Sequence, residues 1–170
     1  IDADSNAFDA GYFPYIAALP GPFFQGDSEG ENTAYFTFYA DKFAGNGIQN
    51  GNVAATLFPP GNWSMYLMKS PAGNWQAPAS FKGNEQQKIA VWRRTTTTMS
   101  TTIGTASVSL LTFKLEQSWP FEWQGQQFDL KDLFPDGVTQ MGFGSPELLD
   151  GLAAYPSVKA FTASAIVNKG

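Results

Sequence analysis

The chain has 170 residues, enough for one domain with a sizeable core, and its 43% apolar and 15% aromatic content against 15% charged residues argues against disorder. It holds no cysteine and no histidine, which excludes disulfides, thiolate nucleophiles, Cys- or His-ligated metal centres and a histidine general base. A net charge of −5 with scattered lysines argues against a nucleic-acid partner, because phosphate binding needs clustered cations.

In chain order, acid comes first: Asp2, Asp4, Asp9, Asp27, Glu29 and Glu31 are six of the fifteen carboxylates, the pattern of a solvated arm. "YFPYIAALPGPFF" (12–24) interleaves aromatics with three prolines. Residues 1–32 therefore read as an irregular, aromatic-rich lead-in packed on a single domain spanning 1–170.

From there the signal is β. "TAYFTFYA" (33–40) predicts a strand with Ala34, Phe36 and Phe38 on one face and Tyr35, Thr37 and Tyr39 on the other. "NVAATLF" (52–58) and "WSMYLMK" (63–69) follow between Gly/Pro/Asn turn clusters. "WRRTTTTMSTT" (92–102) is no linker, since threonine is β-branched and strand-favouring. Residues 87–98 and 105–116 are expected to form a long hairpin turning near Met99 to Gly104. "SWPFEWQGQQFDL" (118–130) predicts a tighter hairpin about Gln124-Gly125, and "DLKDLFPDG" (129–137) a helical turn ended by Pro135. "VTQMGF" (138–143) is a strand. Ser145, Pro146 and Glu147 give an N-cap, a first-turn proline and an acid, so "SPELLDGLAAY" (145–155) predicts a short helix, and "SVKAFTASAIV" (157–167) a last strand.

Strands bulky on both faces favour an all-β, antiparallel barrel of lipocalin-like or calycin-like plan, which removes its edges by closing; a β-sandwich is the alternative. The interior of such a barrel holds side chains or one small ligand. Phe36, Phe38, Trp63, Met65, Tyr66, Met68 and Trp92 are the candidate ligand-binding wall, in which methionine adapts to irregular apolar ligands. A filled core would use the same residues.

Arg93 and Arg94, the only arginines, fall on opposite faces of a regular strand, so one points inward. An inward arginine needs a partner, and Glu116 and Glu122 are nearest by hairpin position; an exposed rim pair is the alternative. Arg93, Arg94, Tyr35 and Tyr39 form the candidate catalytic set, able to donate to a carbonyl or anionic oxygen where charge develops. Asp129, Asp132, Asp136 and Gly137 lack the spacing of a calcium loop, and neither metal nor cofactor is expected. Glu116 with Glu122 as a glycosidase pair, and Trp63, Trp75, Trp119 and Trp123 as a stacking platform for sugar rings with Trp75 turned outward, are further alternatives.

An aromatic-rich chain without His or Cys, with long strands over 33–167, resembles in outline the small lipocalin-like and dirigent-like barrels that hold lipophilic substrates. Some of these are cyclases of natural-product pathways, including fungal proteins similar to hetero-Diels–Alderases of tropolonic sesquiterpene synthesis. The resemblance implies a hydrophobic small-molecule substrate and a cofactor-free pericyclic step, which needs orientation and a hydrogen bond rather than a nucleophile. A non-catalytic carrier fits the same inventory. No run approaches the roughly 20 apolar residues of a membrane helix. The sequon at Asn62 to Ser64 makes an N-glycan at Asn62, and hence a secreted or extracytoplasmic location, an expectation, although a chain of this composition carries about one such triplet by chance.

Overall fold

The computed structural model describes residues 7–43, 46–51, 53–58, 61–95, 98–103, 106–145 and 160–168. Its strands are β1 (Ala7–Tyr12), β2 (Phe36–Phe43), β3 (Asn46–Asn50), β4 (Val53–Phe58), β5 (Asn62–Leu67), β6 (Lys88–Arg94), β7 (Thr98–Ile103), β8 (Ala106–Ser118), β9 (Phe121–Trp123), β10 (Gln126–Phe128), β11 (Val138–Ser145) and β12 (Ala160–Val167). One helical turn, α1 (Leu130–Leu133), is capped by Asp129, whose side chain accepts from the Lys131 amide.

Ten strands form one antiparallel sheet and β9 and β10 a separate hairpin. The proximal half of the large sheet has the order β1-β2-β5-β6-β8, and the distal half β3-β4-β7-β8, with β11 and β12 continuing beyond β8. β6 and β7 lie in succession along one side of β8, Arg94 opposite Phe113 and Met99 opposite Leu110. The threonine stretch thus belongs to a long hairpin, but its reversal lies between the paired Ile103 and Ala106, later than expected, because β-branched Thr101, Thr102 and Ile103 extend the strand.

The expected closed barrel is a curled half-barrel instead. Among the described residues, backbone pairing leaves β1 and β3 at one edge and β12 at the other. The curl nevertheless brings the Phe38 ring on β2 to 6.3 Å from that of Phe161 on β12, although β5, β6, β8 and β11 separate these strands in the sheet. That contact identifies the concave face.

Both faces of the proximal half are covered, which is why its strands are bulky on both sides. On the concave face Phe36, fully buried, meets Phe23 of the lead-in and Trp123 of the β9–β10 hairpin, whose indole donates to the Pro20 carbonyl at 2.6 Å. Phe13 packs edge-on against Phe38 and Trp63. On the convex face the 68–87 segment folds back through a 3-10 turn, Pro78–Phe81, and buries Phe81 against Trp75, while the Phe81 carbonyl accepts from Thr37 at 2.8 Å. Each such large apolar side chain contributes about 1.5–3 kcal/mol on leaving water.

The hairpin at Gln124-Gly125 is as expected, with φ of 50° and 74° at these residues, the left-handed pair that a two-residue turn requires. Ser145 is the last residue of β11, and the rest of the expected helix 145–155 lies outside the described residues, as do 157–159 of the last strand.

Candidate functional site

Strand alternation places Arg94 on the concave face, where it is 3% exposed. Gly61, whose carbonyl accepts from the Arg94 amide at 3.0 Å, makes room for it: a Cβ there would stand 3.0 Å from a guanidinium nitrogen. Asp9 approaches from β1, paired with Ala40 and so on the same face. Burial pushes the Asp9 carboxyl up, opposed by the attraction of Arg94. Burial likewise holds the Arg94 guanidinium below its usual value, opposed by Asp9. Two residues before Arg94 on the same face, the buried Trp92 indole N–H has no hydrogen-bond partner among the described residues.

Distal to Arg94, beyond Leu111 and Gln140, the concave wall narrows to small residues apart from Phe161. Ser107 and Ser109 on β8 stand opposite Gly144 and Gly142 on β11, which face Phe161 and Ala163 on β12. Added Cβ atoms at Gly142 and Gly144 would lie 2.9 and 2.7 Å from the Ser109 and Ser107 hydroxyls. Ala163 and Ala165 are exposed on this side, so the concavity is open there. The arrangement is a cup: aromatic floor, a buried cation with its carboxylate, and a wall of Gly, Ser and Ala.

The expected ligand wall is brought together only in part. Phe36, Phe38, Met65 and Trp92 are buried on the concave face and Trp63 is half-buried beside them, stacked on Phe113 at 5.3 Å. Rings from the lead-in fill the space between the proximal ones. Tyr66 lies on the convex face, opposite Thr37 and against Gly83, and Met68, beyond the end of β5, is buried with its amide bonded to the Tyr35 carbonyl.

The expected catalytic set does not converge. Arg93 is exposed on the convex face and pairs with Glu116 at 3.8 Å. Glu116 is therefore a partner of the outward arginine, while the inward one meets Asp9, which strand pairing places near it and hairpin position does not. Glu122 is exposed on the β9–β10 hairpin. Tyr39 is convex too, with Phe8 stacked on it at 5.9 Å and the Lys82 ammonium 5.6 Å from its ring. Tyr35 packs on Trp123 at 5.2 Å, at the far end of the aromatic floor. Asp9, Ser107, Ser109, Gly142 and Gly144 are the site residues that sequence reading missed. For the serines and glycines the signal was the alternation of small and large residues in "ASVSLL" and "MGFG", one face small and the other bulky; Asp9 had none.

A second concavity of about 640 Å³ lies where the C-terminal end of β8 meets α1, lined by Leu115, Glu116, Gln117, Ser118, Trp119, Lys131 and Pro135. Beside it Asp129 accepts from the Ser118 hydroxyl and pairs with Lys131 at 3.1 Å. Burial pushes the Asp129 carboxyl up, but its hydrogen bonds from Ser118 and Lys131 outweigh this and hold it below the ordinary value. The four-tryptophan platform is not formed. Trp123 is buried, Trp63 is stacked in the core, and Trp75 is half-buried against Phe81 rather than turned outward; Trp119 is 41% exposed. Among the described residues no group of three acidic side chains could hold a metal, and no helix is long and apolar enough to cross a membrane. No family model, curated protein or solved structure matches the chain.

Proposed function

We propose that the cup binds a flat, conjugated, lipophilic small molecule through an oxygen acceptor and favours its cyclisation. The observation that carries this reading is Arg94, buried 3% exposed on the concave face where large side chains give way to Gly142, Gly144 and Ser109. Burying a guanidinium is costly, and a pocket with apolar walls and one convergent charge suits an oxygenated apolar ligand. The Trp92 N–H supplies a second donor on the same face.

For a pericyclic step, Arg94 polarises a carbonyl of the electron-poor partner, and the walls hold both π-systems within bonding reach and exclude water. A ligand there lies against the small-residue wall, beside the point where Phe38 and Phe161 meet across the curl. A carrier uses the same contacts without turnover.

The test is a thermal-shift titration with 1,4-naphthoquinone and, as the apolar control, naphthalene. A ligand present at 100 times its Kd stabilises the folded state by about 2.7 kcal/mol. A shift with the quinone that vanishes in the doubly substituted Asp9→Asn/Arg94→Met chain is expected. Equal shifts with both compounds, or no shift, would overturn the polar anchor. Product formation from a tethered diene–enone by the native chain but not the double variant separates cyclase from carrier.

The exposed Trp119 favours a second reading. Its ring borders a concavity that also offers Glu116, Gln117 and Lys131, an aromatic face beside hydrogen-bonding groups as saccharide binding requires. Oligosaccharide binding abolished by Trp119→Ala and unaffected by Arg94→Met would establish it.

A further inference from the structure

The distal half of the sheet carries no charge. Residues 43–68, 95–113, 137–146 and 160–168 contain no Asp, Glu, Lys or Arg, and these stretches supply β3, β4, β7, β11, β12 and the first eight residues of β8. On its convex face Val108 stands opposite Phe143 and Leu110 opposite Met141, with Ile103 and Ile166 flanking them. All six are exposed, between 44% and 73%. This is the reverse of the usual order, in which a sheet turns its large apolar residues inward and its polar ones to water. A patch of that kind marks an interaction surface.

We propose that this convex wall docks into the apolar layer of a lipid bilayer, entering one leaflet without crossing it. Three features favour lipid over a second copy of the chain. The wall is curved outward, so two rigid copies would touch along a line, whereas fluid acyl chains follow a convex surface. Nothing in the distal half pays the desolvation of a charge on entering hydrocarbon, which is otherwise several kcal/mol per ion. Its strands of five to eight residues span about 17–26 Å, less than the hydrocarbon core of about 30 Å and fewer than the roughly 9–11 residues of a crossing strand, so the wall can lie against one leaflet but not span two. With no basic residue on the wall, docking is independent of anionic headgroups and of salt. The inference stands apart from the ligand reading, though a lipophilic ligand would be met in the same phase.

Flotation of the full chain with phosphatidylcholine vesicles, at low and high salt, tests it. Equal flotation at both salts is expected. The Leu110→Asp/Met141→Asp chain is expected to float on the order of tenfold less or lower. Arg93→Ser, on the convex face of the proximal half, should float as the native chain does. Both substituted wall positions are exposed, so an unchanged melting temperature identifies a variant that is folded. Absence of flotation, flotation confined to phosphatidylglycerol vesicles and lost at high salt, or undiminished flotation of a folded wall variant would each overturn the proposal. So would a concentration-dependent dimer that the same two substitutions dissolve, which would assign the wall to a second copy.

Discussion

In the proximal half of the sheet both faces are covered: rings from the lead-in and the β9–β10 hairpin fill the concave side, and the 68–87 segment seals the convex side over Thr37 and Tyr66. In the distal half neither the small-residue concave wall nor the bulky convex wall is sealed in this way among the described residues, and β12 is exposed along most of its length. The same strand pairs thus run from a region that makes the fold to one that leaves surface for other uses. Stability is unevenly distributed in such a molecule, and the region with fewer buried contacts is free to bind.

The sharpest way to break this contrast is to truncate one ring in each half. Phe36→Ala removes a fully buried ring packed on Phe23, Phe121 and Trp123, and is expected to cost about 3–5 kcal/mol in denaturant unfolding. Ile166→Ala, at 73% exposure, is expected to stay within about 0.5 kcal/mol. Comparable costs would show the distal face to be covered after all.

Arg94 lies at the border of the halves, and its removal is the next largest effect. Arg94→Met leaves the Asp9 carboxylate buried without its cation and is expected to cost about 3 kcal/mol, most of which Asp9→Asn in the same chain recovers. Arg93→Met, on the exposed side of the same strand, is expected to cost less than about 0.5 kcal/mol, since its pair with Glu116 is open to solvent. Non-recovery in the double variant would mean that Arg94 acts through packing rather than charge.

Acid–base titration has a smaller effect with a definite sign, and it is confined to the proximal half and its border, since the distal strands carry no titratable side chain. The raised carboxyl of Asp9 binds its proton more tightly folded than unfolded, so its contribution is present below the ordinary Asp value of 3.8 and is lost as pH rises through the raised value. Asp129, held low, contributes above 3.8 and loses that contribution as pH falls through its lowered value. Stability measured against pH in Asp9→Asn should therefore lose the decline on the alkaline side, and in Asp129→Asn the decline on the acid side. Identical profiles for the native chain and Asp9→Asn would place Asp9 in water.

Local chemistry was legible in the sequence where one short stretch sufficed. The Gln124-Gly125 turn, the helical turn before Pro135 and the opposite facing of Arg93 and Arg94 all follow from neighbours in the chain. The partner of Arg94 was not legible, because β1 reaches Arg94 only across β2 and β5, and strand order is a property of the whole sheet. Bulk on both faces of β2 and β5 suggested a closed barrel with a cavity. It arises instead from two separate covers, the lead-in and the 68–87 segment, whose docking side no periodicity reveals. The charge-free stretches were in plain view, but they become one wall only once hydrogen bonding sets β3, β4, β7, β8, β11 and β12 side by side.

A substitution with a small expected change in stability carries the finest distinction. Trp92→Phe removes a buried N–H that has no acceptor among the described residues, so the loss of packed ring atoms is offset by relief of an unmet desolvation cost, and the net change is expected within about 1 kcal/mol. Were the N–H merely sealed in the floor, binding of 1,4-naphthoquinone would not respond to its removal. Were it a donor to the ligand, the quinone would bind about tenfold more weakly while naphthalene bound as before, since a hydrogen bond of about 1.4 kcal/mol is a factor of ten. A quinone affinity unchanged in Trp92→Phe but lost in Asp9→Asn/Arg94→Met would confine the polar contact to Arg94 and make Trp92 part of the proximal core. Weakening in both would extend the site into that core and blur the boundary on which the contrast between the halves rests.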